Sequence, residues 1–287
     1  SKPFQKNVLS GRRNHAAPLP GLFRRRFGGM PMKKTLKFHL ISILAVLGFV
    51  FFWYLMTDVL HRVNTLILPG PVDVFRAFLN KMTNTRPDGG TLPEHTLSSL
   101  KLVLAGYSLG ILVGMPLGIA MGWSKWFDRF FRPLFDMLRP VPPVGWIPLV
   151  LILFGIGMSG KVFIIFFSTL MPCILNAYSG IRQVNPTHLW VARTFGASRA
   201  QQLFRVALPS AIPSLFTGLR VALSTSWATL VAAEMLAAQK GFGYMIQTNR
   251  MLANADNILV GMLLIGVIGA IFSLILGLLE KQLAKGR

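Results

Sequence analysis

Six stretches of apolar residues, each close to the length that a helix needs to cross a bilayer, dominate this sequence. A transmembrane helix takes about 20 predominantly apolar residues. The six stretches are residues 40–60, 100–122, 134–154, 161–181, 212–237 and 258–279. In lipid, every backbone polar group must be paired internally, and a single segment achieves this as a helix. The sequence therefore predicts an all-α, polytopic membrane protein with six transmembrane helices.

Charge content and charge placement agree with this class. Only 14% of the residues are charged, whereas about 25% is usual in a soluble domain. The net charge is +21, and its densest part is residues 1–39, which hold ten Lys and Arg and no acid; we expect this segment to be a disordered tail. It could set the topology of the chain or bind anionic lipids or a partner. Because the charge is not spread over a soluble domain, we expect a lipid bilayer and no nucleic acid as a partner.

Basic residues also orient the six spans. The N-terminal tail and the segments that follow the second, fourth and sixth spans hold more Lys and Arg than the segments on the other side. Short loops rich in these residues stay in the cytoplasm. We therefore expect the N- and C-termini, and the loop at residues 185–209, to be cytoplasmic.

That loop is the longest polar break in the C-terminal half, and its capping residues predict two short helices. Asn185 can cap the first helix, and Gly196 suits the left-handed residue that ends it. Ser198 and Gln201 have the spacing of a capping box, which begins the second helix. Pro209 is predicted to end the second helix, because proline disfavours helix at the residue before it.

The spacing within this loop resembles the cytoplasmic loop of ABC-transporter permeases. The pattern of that family is Glu-Ala-Ala, three residues, Gly, nine residues, then Ile-x-Leu-Pro. Here Ala192, Gly196, Leu208 and Pro209 keep the spacing, while Trp and Val replace the first Glu and Ala. In the family this loop docks in a groove of the ATPase subunit. The resemblance therefore assigns contact with the ATPase to Ala192, Arg193, Gly196, Ala197, Ser198, Leu208 and Pro209.

Further motifs narrow the resemblance within the family. Leu-Arg-Pro-Val-Pro at 138–142, Trp-Ile-Pro-Leu at 146–149 and the segments 227–234 and 241–244 resemble importer permeases for nitrate, sulfonate, taurine and related solutes. The resemblance covers residues 68–282. The motifs are specific for this broad group. They are weak evidence for the solute, because permeases for thiamine precursors and other small organic molecules share them.

The resemblance implies a type I ABC importer permease in a bacterial inner membrane. Residues 40–97 would hold the first transmembrane helix and an external amphipathic segment, with a helix predicted at 72–82. Residues 98–282 would form the permease core of five transmembrane helices, and residues 283–287 a cytoplasmic tail. The expected partners are two ATPase subunits, a second permease chain that we expect to be a copy of this one, and an external solute-binding protein. ATP and Mg would be bound by the ATPase, and no cofactor by this chain.

The importer would take a small solute, which we expect to be an anion such as nitrate, a sulfonate or taurine, from the binding protein into the cytoplasm. The alternative is a secondary transporter or channel that works without ATP. It would leave the Gly-to-Leu-Pro spacing of the loop unexplained.

Six residues in or beside the spans are candidates for the translocation path: Arg139, Trp146, Asn176, Ser224, Trp227 and Glu234. Ionisable residues in a membrane are costly and are functional candidates by default. Arg139 could instead snorkel to the interface. Glu234 could be an interhelical hydrogen-bond partner or part of an outer gate. The span that holds Ser224 is the most polar, which favours it as a lining helix.

Glycines repeat at every fourth position of the second span, at Gly106, Gly110, Gly114, Gly118 and Gly122. They line one helix face without side chains, so another helix can approach closely. We expect packing within the chain; a seam between two copies of the chain is the alternative.

Signals for chemistry within the chain are weak. Residues 155–161 approach a P-loop, but Val162 stands where Ser or Thr should bind magnesium, and no acid follows before Glu234. The five histidines lack metal-ligand spacing, and Cys173, the only cysteine, is expected to be inert packing. We expect no catalytic site and no metal, and ATP hydrolysis by a separate subunit.

Overall fold

The computed structural model describes residues 32–64 and 67–285, and side chains from 41 to 282 within those ranges. Every regular element among them is a helix. The helices are α1 Met32–Tyr54, α2 Pro71–Lys81, α3 Leu92–Trp123, α4 Lys125–Leu138, α5 Ile147–Phe154, α6 Met158–Arg182, α7 Pro186–Thr194, α8 Arg199–Gln202, α9 Leu208–Ala237, α10 Phe242–Met251 and α11 Ala255–Lys285. The chain divides into two compact units, residues 1–50 and 51–287. The contacts described below lie within the second unit.

Five helical segments among the described residues are long and apolar enough to cross a membrane. They are Ile41–Val59, Leu92–Trp123, Met158–Arg182, Arg199–Ala237 and Ala255–Gln282. The sixth predicted span is a bent pair, in which α4 and residues 143–154 meet at 81°. Proline has no backbone N–H and restricts the residue before it, so the prolines between Arg139 and Pro148 explain the bend. The all-α membrane fold is confirmed, and the described residues supply five spans, or six if the bent pair counts as one.

Several helix boundaries differ from those predicted. The second span begins at Leu92 rather than near residue 100, since Glu94 accepts a hydrogen bond from the Thr91 N–H at 3.3 Å and caps the helix earlier. The helix at the start of the predicted third span, α4, begins at Lys125, not near residue 134. The predicted amphipathic helix at 72–82 is confirmed as α2. Helix α1 begins inside the range predicted as a tail, and α11 reaches Lys285. The disorder expected for residues 1–31 lies outside the described residues.

The glycine face of α3 packs against α6 of the same chain. A Cβ on Gly106 would lie 2.6 Å from the Cβ of Ile165, and one on Gly118 would lie 2.5 Å from the Ile174 carbonyl oxygen. A Cβ on Gly110 would collide with Thr169. The two backbones therefore approach each other as closely as glycine allows, and packing within the chain is confirmed for this face.

Hydroxyl groups also join α6 to α9. Ser168 and Thr229 lie 3.0 Å apart, and Thr169 and Ser226 lie 2.6 Å apart, all four of them buried. Interhelical hydrogen bonds of this kind contribute roughly 0.6 to 2 kcal/mol each in a membrane. Helix α6 is thus held between α3 and α9.

Candidate coupling loop and translocation path

The predicted coupling loop, residues 185–209, begins as the sequence predicts. The Asn185 side chain accepts a hydrogen bond from the Thr187 N–H at 2.9 Å, which caps α7. The missing N–H of the proline that follows Asn185 is not needed at the first helical position. A local cap therefore fixes the point at which the chain turns away from α6.

A left-handed glycine ends α7. Gly196 has φ +79°, and the Ala197 N–H donates to the Ala192 carbonyl at 3.0 Å. Ser198 then restarts the chain: its N–H donates to Gln201 Oε1 at 2.8 Å, and its Oγ accepts from the Gln201 N–H at 3.3 Å. The predicted glycine stop and capping box are confirmed. Four of the predicted coupling residues, Ala192, Gly196, Ala197 and Ser198, thus build this turn.

The prediction that Pro209 ends the second helix is wrong. Helix α8 continues through a π-helical turn at Leu203–Ala207 into α9, which begins at Leu208 and contains Pro209 in its first turn. In the π turn the Leu208 N–H donates to the carbonyl five residues back, at Leu203. This wider turn relieves the clash that proline makes with the carbonyl four residues back in a regular helix. The loop therefore joins the membrane-spanning helix without a break.

Aromatic side chains project from this loop. Phe195 is 86% exposed and Trp190 68% exposed, and Arg193 lies between them on an exposed face. Four buried side chains support the loop from beneath: Ala207 just before α9, Ala211 within it, Ile181 of α6 and Val184 just after α6. The loop thus exposes aromatic side chains next to a basic one, and buried side chains hold it in place.

Two of the six predicted path residues lie on exposed surfaces. Arg139 is exposed at the break between α4 and the following turn. Ser224 shares an exposed face of α9 with Thr217, Val221 and Ala228. Three of these four side chains are small or polar and only Val221 is a larger apolar one, whereas the exposed side chains of α11 include many large apolar ones, such as Leu263, Val267 and Ile271. A lipid-facing helix normally resembles α11, so this face of α9 differs from a simple lipid contact.

The other four predicted path residues pack between helices. Trp146 lies edge-on to Phe167, with ring centroids 5.4 Å apart. A Cβ on Gly218 of α9 would lie 2.7 Å from the Cβ of Asn176. Trp227 is buried and donates to the Ile265 carbonyl of α11 at 3.0 Å. These contacts show how the side chains are packed, and their place on a path stays a prediction.

Glu234 joins three helices. Its carboxylate accepts from Ser99 Oγ of α3 at 2.7 Å and from the Gly243 N–H of α10 at 2.9 Å. The residue is fully buried. Gly241, with φ +125°, brings the backbone so close that a Cβ there would meet this carboxylate. The interhelical hydrogen-bond role is confirmed for Glu234, while a role in gating stays a prediction.

A second buried polar cluster, which the sequence did not reveal, lies near Glu234. Asp88 forms an ion pair with Lys81, lies 3.4 Å from His95 Nε2 and accepts from Asn249 Nδ2 at 3.2 Å. His95 Nδ1 in turn accepts from the Gly241 N–H at 3.0 Å. Burial by itself would raise the pKa of Asp88, but hydrogen bonds from His95 and Lys81 outweigh it and hold the pKa below its usual value. The cluster ties the segment after α2 to α3 and α10.

Comparison with known proteins settles the family. Residues 110–287 match the family model described as "Binding-protein-dependent transport system inner membrane component". The chain belongs to this family. It is therefore a multi-pass permease of the ABC-transporter type in the inner membrane.

Curated relatives include permeases for two different solutes. The taurine transport system permease protein TauC of Escherichia coli (strain K12) is 37% identical over 246 residues, which cover 85% of this chain and 87% of that protein. The bicarbonate transport system permease protein CmpB of Synechococcus elongatus is 28% identical over 273 residues, covering 91% and 97%.

A solved structure shares the fold. An inward-facing conformation of the MetNI methionine ABC transporter aligns with a TM-score of 0.58 at 15% identity, over 67% of this chain and 95% of the matched one. At this identity the likeness concerns the fold alone, and the type I importer permease fold is confirmed.

Proposed function

We propose that this chain is the transmembrane subunit of an ATP-driven importer for a small anion, such as taurine, another sulfonate, nitrate or bicarbonate. The observation that carries the proposal is the coupling loop. It presents an exposed Phe195 on a turn fixed by Gly196, and it runs into α9 without a helix break. A displacement of Phe195 by a bound ATPase would therefore be transmitted directly to α9.

Two ATPase subunits would bind the loops of two permease chains, and a solute-binding protein would dock at the opposite end of the bundle. ATP with Mg, held by the ATPase, would favour one arrangement of the spans, and hydrolysis would restore the other. A ligand shifts such an equilibrium only by its differential affinity for the two states. The permease itself would make and break no covalent bond. Both termini would be cytoplasmic, on the side of the loop.

The small-residue face of α9, with Thr217, Ser224 and Ala228, is our candidate for the lining of the path or the contact with a second copy of the chain. Both roles need a face that lipid does not cover. The relatives' printed solutes, taurine and bicarbonate, both carry negatively charged oxygen groups, and they support a solute with such a group here.

One form of the alternative, a secondary transporter coupled to protons or ions, would be expected to use ionisable groups in the spans that can exchange them. Among the described residues, Glu234 is hydrogen-bonded by Ser99 and Gly243, and Arg220 forms an ion pair with Glu280. These groups already have protein partners, which favours the ATP-driven scheme.

The test begins by purifying the tagged chain from its native membrane in mild detergent and identifying the proteins that accompany it. The complex is then placed in liposomes, and uptake of labelled taurine, nitrate and bicarbonate is measured with and without ATP. We expect a stoichiometric ATPase and ATP-dependent uptake. A chain that purifies alone and transports any of these solutes without ATP would refute the proposal.

Variants of Gly196 test the loop itself. A Cβ there meets no atom within 4 Å, so alanine would disturb only the left-handed backbone, at a penalty of about 1 to 2 kcal/mol. We expect Gly196→Ala to lower ATP-dependent uptake about 5- to 30-fold, and Gly196→Asn, which tolerates this conformation, to retain most of it. Gly277→Ala is the control, since Gly277 also has open space but no positive φ. Equal uptake by all three variants would contradict the role of the turn.

A further inference from the structure

A groove of about 850 Å³ separates the coupling loop from the junction of α3 and α4. Its lining includes three basic and three aromatic side chains: Trp123, Lys125, Trp126, Trp190, Arg193 and Arg199. The groove is distinct from the tip at Phe195, which does not line it. Its lining does include Arg193 and Ala197, which the family resemblance assigns to contact with the ATPase, so the test below also follows the ATPase.

The charge of the groove is unbalanced. No acid is among its lining residues, and the sequence has none between Asp136 and Glu234. In the described part of the chain, Lys125, Arg193 and Arg199 form no ion pair with a carboxylate. The acid nearest to Lys125 in sequence, Asp128, bonds to Arg132 at 3.3 Å. An anionic ligand would supply the missing charge.

The position of the groove indicates the kind of anion. Trp123 is the last residue of a membrane-spanning helix, so the groove lies at the depth where the apolar part of the span ends. Tryptophan side chains favour this depth because they have an apolar body and a polar N–H. Phospholipid phosphates occupy the same depth.

Helix α4 offers a surface for acyl chains beside the groove. None of its residues is buried by the rest of the chain. Its aromatic side chains stack along the helix, with Trp126 over Phe130 at 5.8 Å and Phe127 over Phe131 at 6.0 Å. An amphipathic helix with an aromatic face and basic residues lies in the membrane interface. Basic pockets between helices on the cytoplasmic side of a membrane, where we expect this loop, bind the head groups of anionic lipids.

We propose that this groove binds the phosphate of an anionic phospholipid, and that Lys125, Arg193 and Arg199 hold it. The bound lipid bridges the α3–α4 junction and the coupling loop, so it fixes the height of the loop relative to the bilayer. The inference rests on the groove alone and stands whether or not the chain is driven by ATP.

Native mass spectrometry of the full chain in mild detergent tests the proposal, with phosphatidylglycerol and phosphatidylcholine added separately. The groove variant is Lys125→Gln/Arg193→Gln/Arg199→Gln. The matched control is Arg129→Gln/Arg205→Gln/Lys281→Gln, which removes three exposed basic residues outside the groove lining.

Each basic residue near an anionic lipid contributes roughly fivefold in affinity. We therefore expect the wild type and the control to retain one phosphatidylglycerol and no phosphatidylcholine. The groove variant should bind phosphatidylglycerol about a hundredfold more weakly. Arg193→Gln alone should lose about fivefold, which keeps the test valid if the triple variant does not fold.

Three results would overturn the proposal. Equal losses from the groove variant and the control would show general attraction to a basic surface. Displacement of the lipid by millimolar inorganic phosphate would indicate a soluble anion. Unchanged lipid binding by the groove variant, together with loss of a co-purifying ATPase, would show that the groove receives an acidic protein surface.

Discussion

Replacing Glu234 by alanine should destabilise the protein strongly. The change removes the acceptor for the Ser99 hydroxyl and for the Gly243 N–H, at 2.7 and 2.9 Å, in a fully buried site. Each buried polar group left without a partner costs about 1 to 3 kcal/mol. The sum is about 2 to 6 kcal/mol, which corresponds to a fall in Tm of at least about 4 °C for a chain of this size.

Cys173 provides the assay. It is the only cysteine in the sequence and is fully buried between α3 and α6. A thiol-reactive fluorophore therefore labels the chain only when this packing opens, and fluorescence during a temperature ramp reports Tm in detergent. Glu94→Ala is the control, because Glu94 is exposed and pairs with Lys240 at 3.0 Å. Solvent screens an exposed pair of this kind, so Glu94→Ala should lower Tm much less than Glu234→Ala.

A double-mutant cycle with Ser99→Ala tests whether the hydrogen bond itself is responsible. If Ser99 and Glu234 interact as described, the double variant should lose about 0.5 to 3 kcal/mol less than the sum of the single losses. Strictly additive losses of stability in the double variant would refute the reasoning. So would a Glu234→Ala variant whose Tm equals that of the wild type.

Two further predictions concern packing and pH. Gly110→Val should lower Tm by several degrees, because its side chain would meet Thr169 and the Phe166 carbonyl; overpacking of this kind costs about 1 to 3 kcal/mol. Gly277→Val, at a site where an added Cβ meets no atom within 4 Å, should change Tm little, and equal melting of the two variants would contradict the tight α3–α6 contact. The lowered pKa of Asp88 means that its contribution to stability is present above the usual Asp pKa and is lost as pH falls through the lower, folded-state value. Below about pH 4 the Tm of the wild type should therefore fall more steeply than that of Asp88→Asn, and parallel Tm profiles would exclude this role for Asp88.

Features with local causes could be predicted from the sequence. The spans follow from apolar length, and the turn at Gly196 follows from capping residues within a few positions of it. Their free energies depend on neighbours in sequence, so the pattern suffices. The glycine face of α3 was equally visible, because close approach is the main benefit of a helix face without side chains.

Features that depend on distant contacts could not be predicted. Asp88 meets Asn249, which is 161 residues away, and no sequence spacing indicates that pairing. The contact of Trp227 with α11, where its ring lies edge-on to Phe272, likewise has no signal in the sequence, and its place on a path stays a prediction. Pro209 was misjudged because the effect of a proline depends on hydrogen-bond register, which a single π turn changes.

The contact between α3 and α6 also restricts how the molecule can move. With glycine backbone directly against Ile165 and Cys173 there is no layer of flexible side chains in which the two helices could slide. They must rotate or tilt as one rigid body. A displacement at the Arg182 end of α6 therefore moves the far end of α3 as well, where Ser99 and His95 hold the turn before α10. Motion of the coupling loop at one end of the α3–α6 pair is thus transmitted to the turn before α10 at the other end.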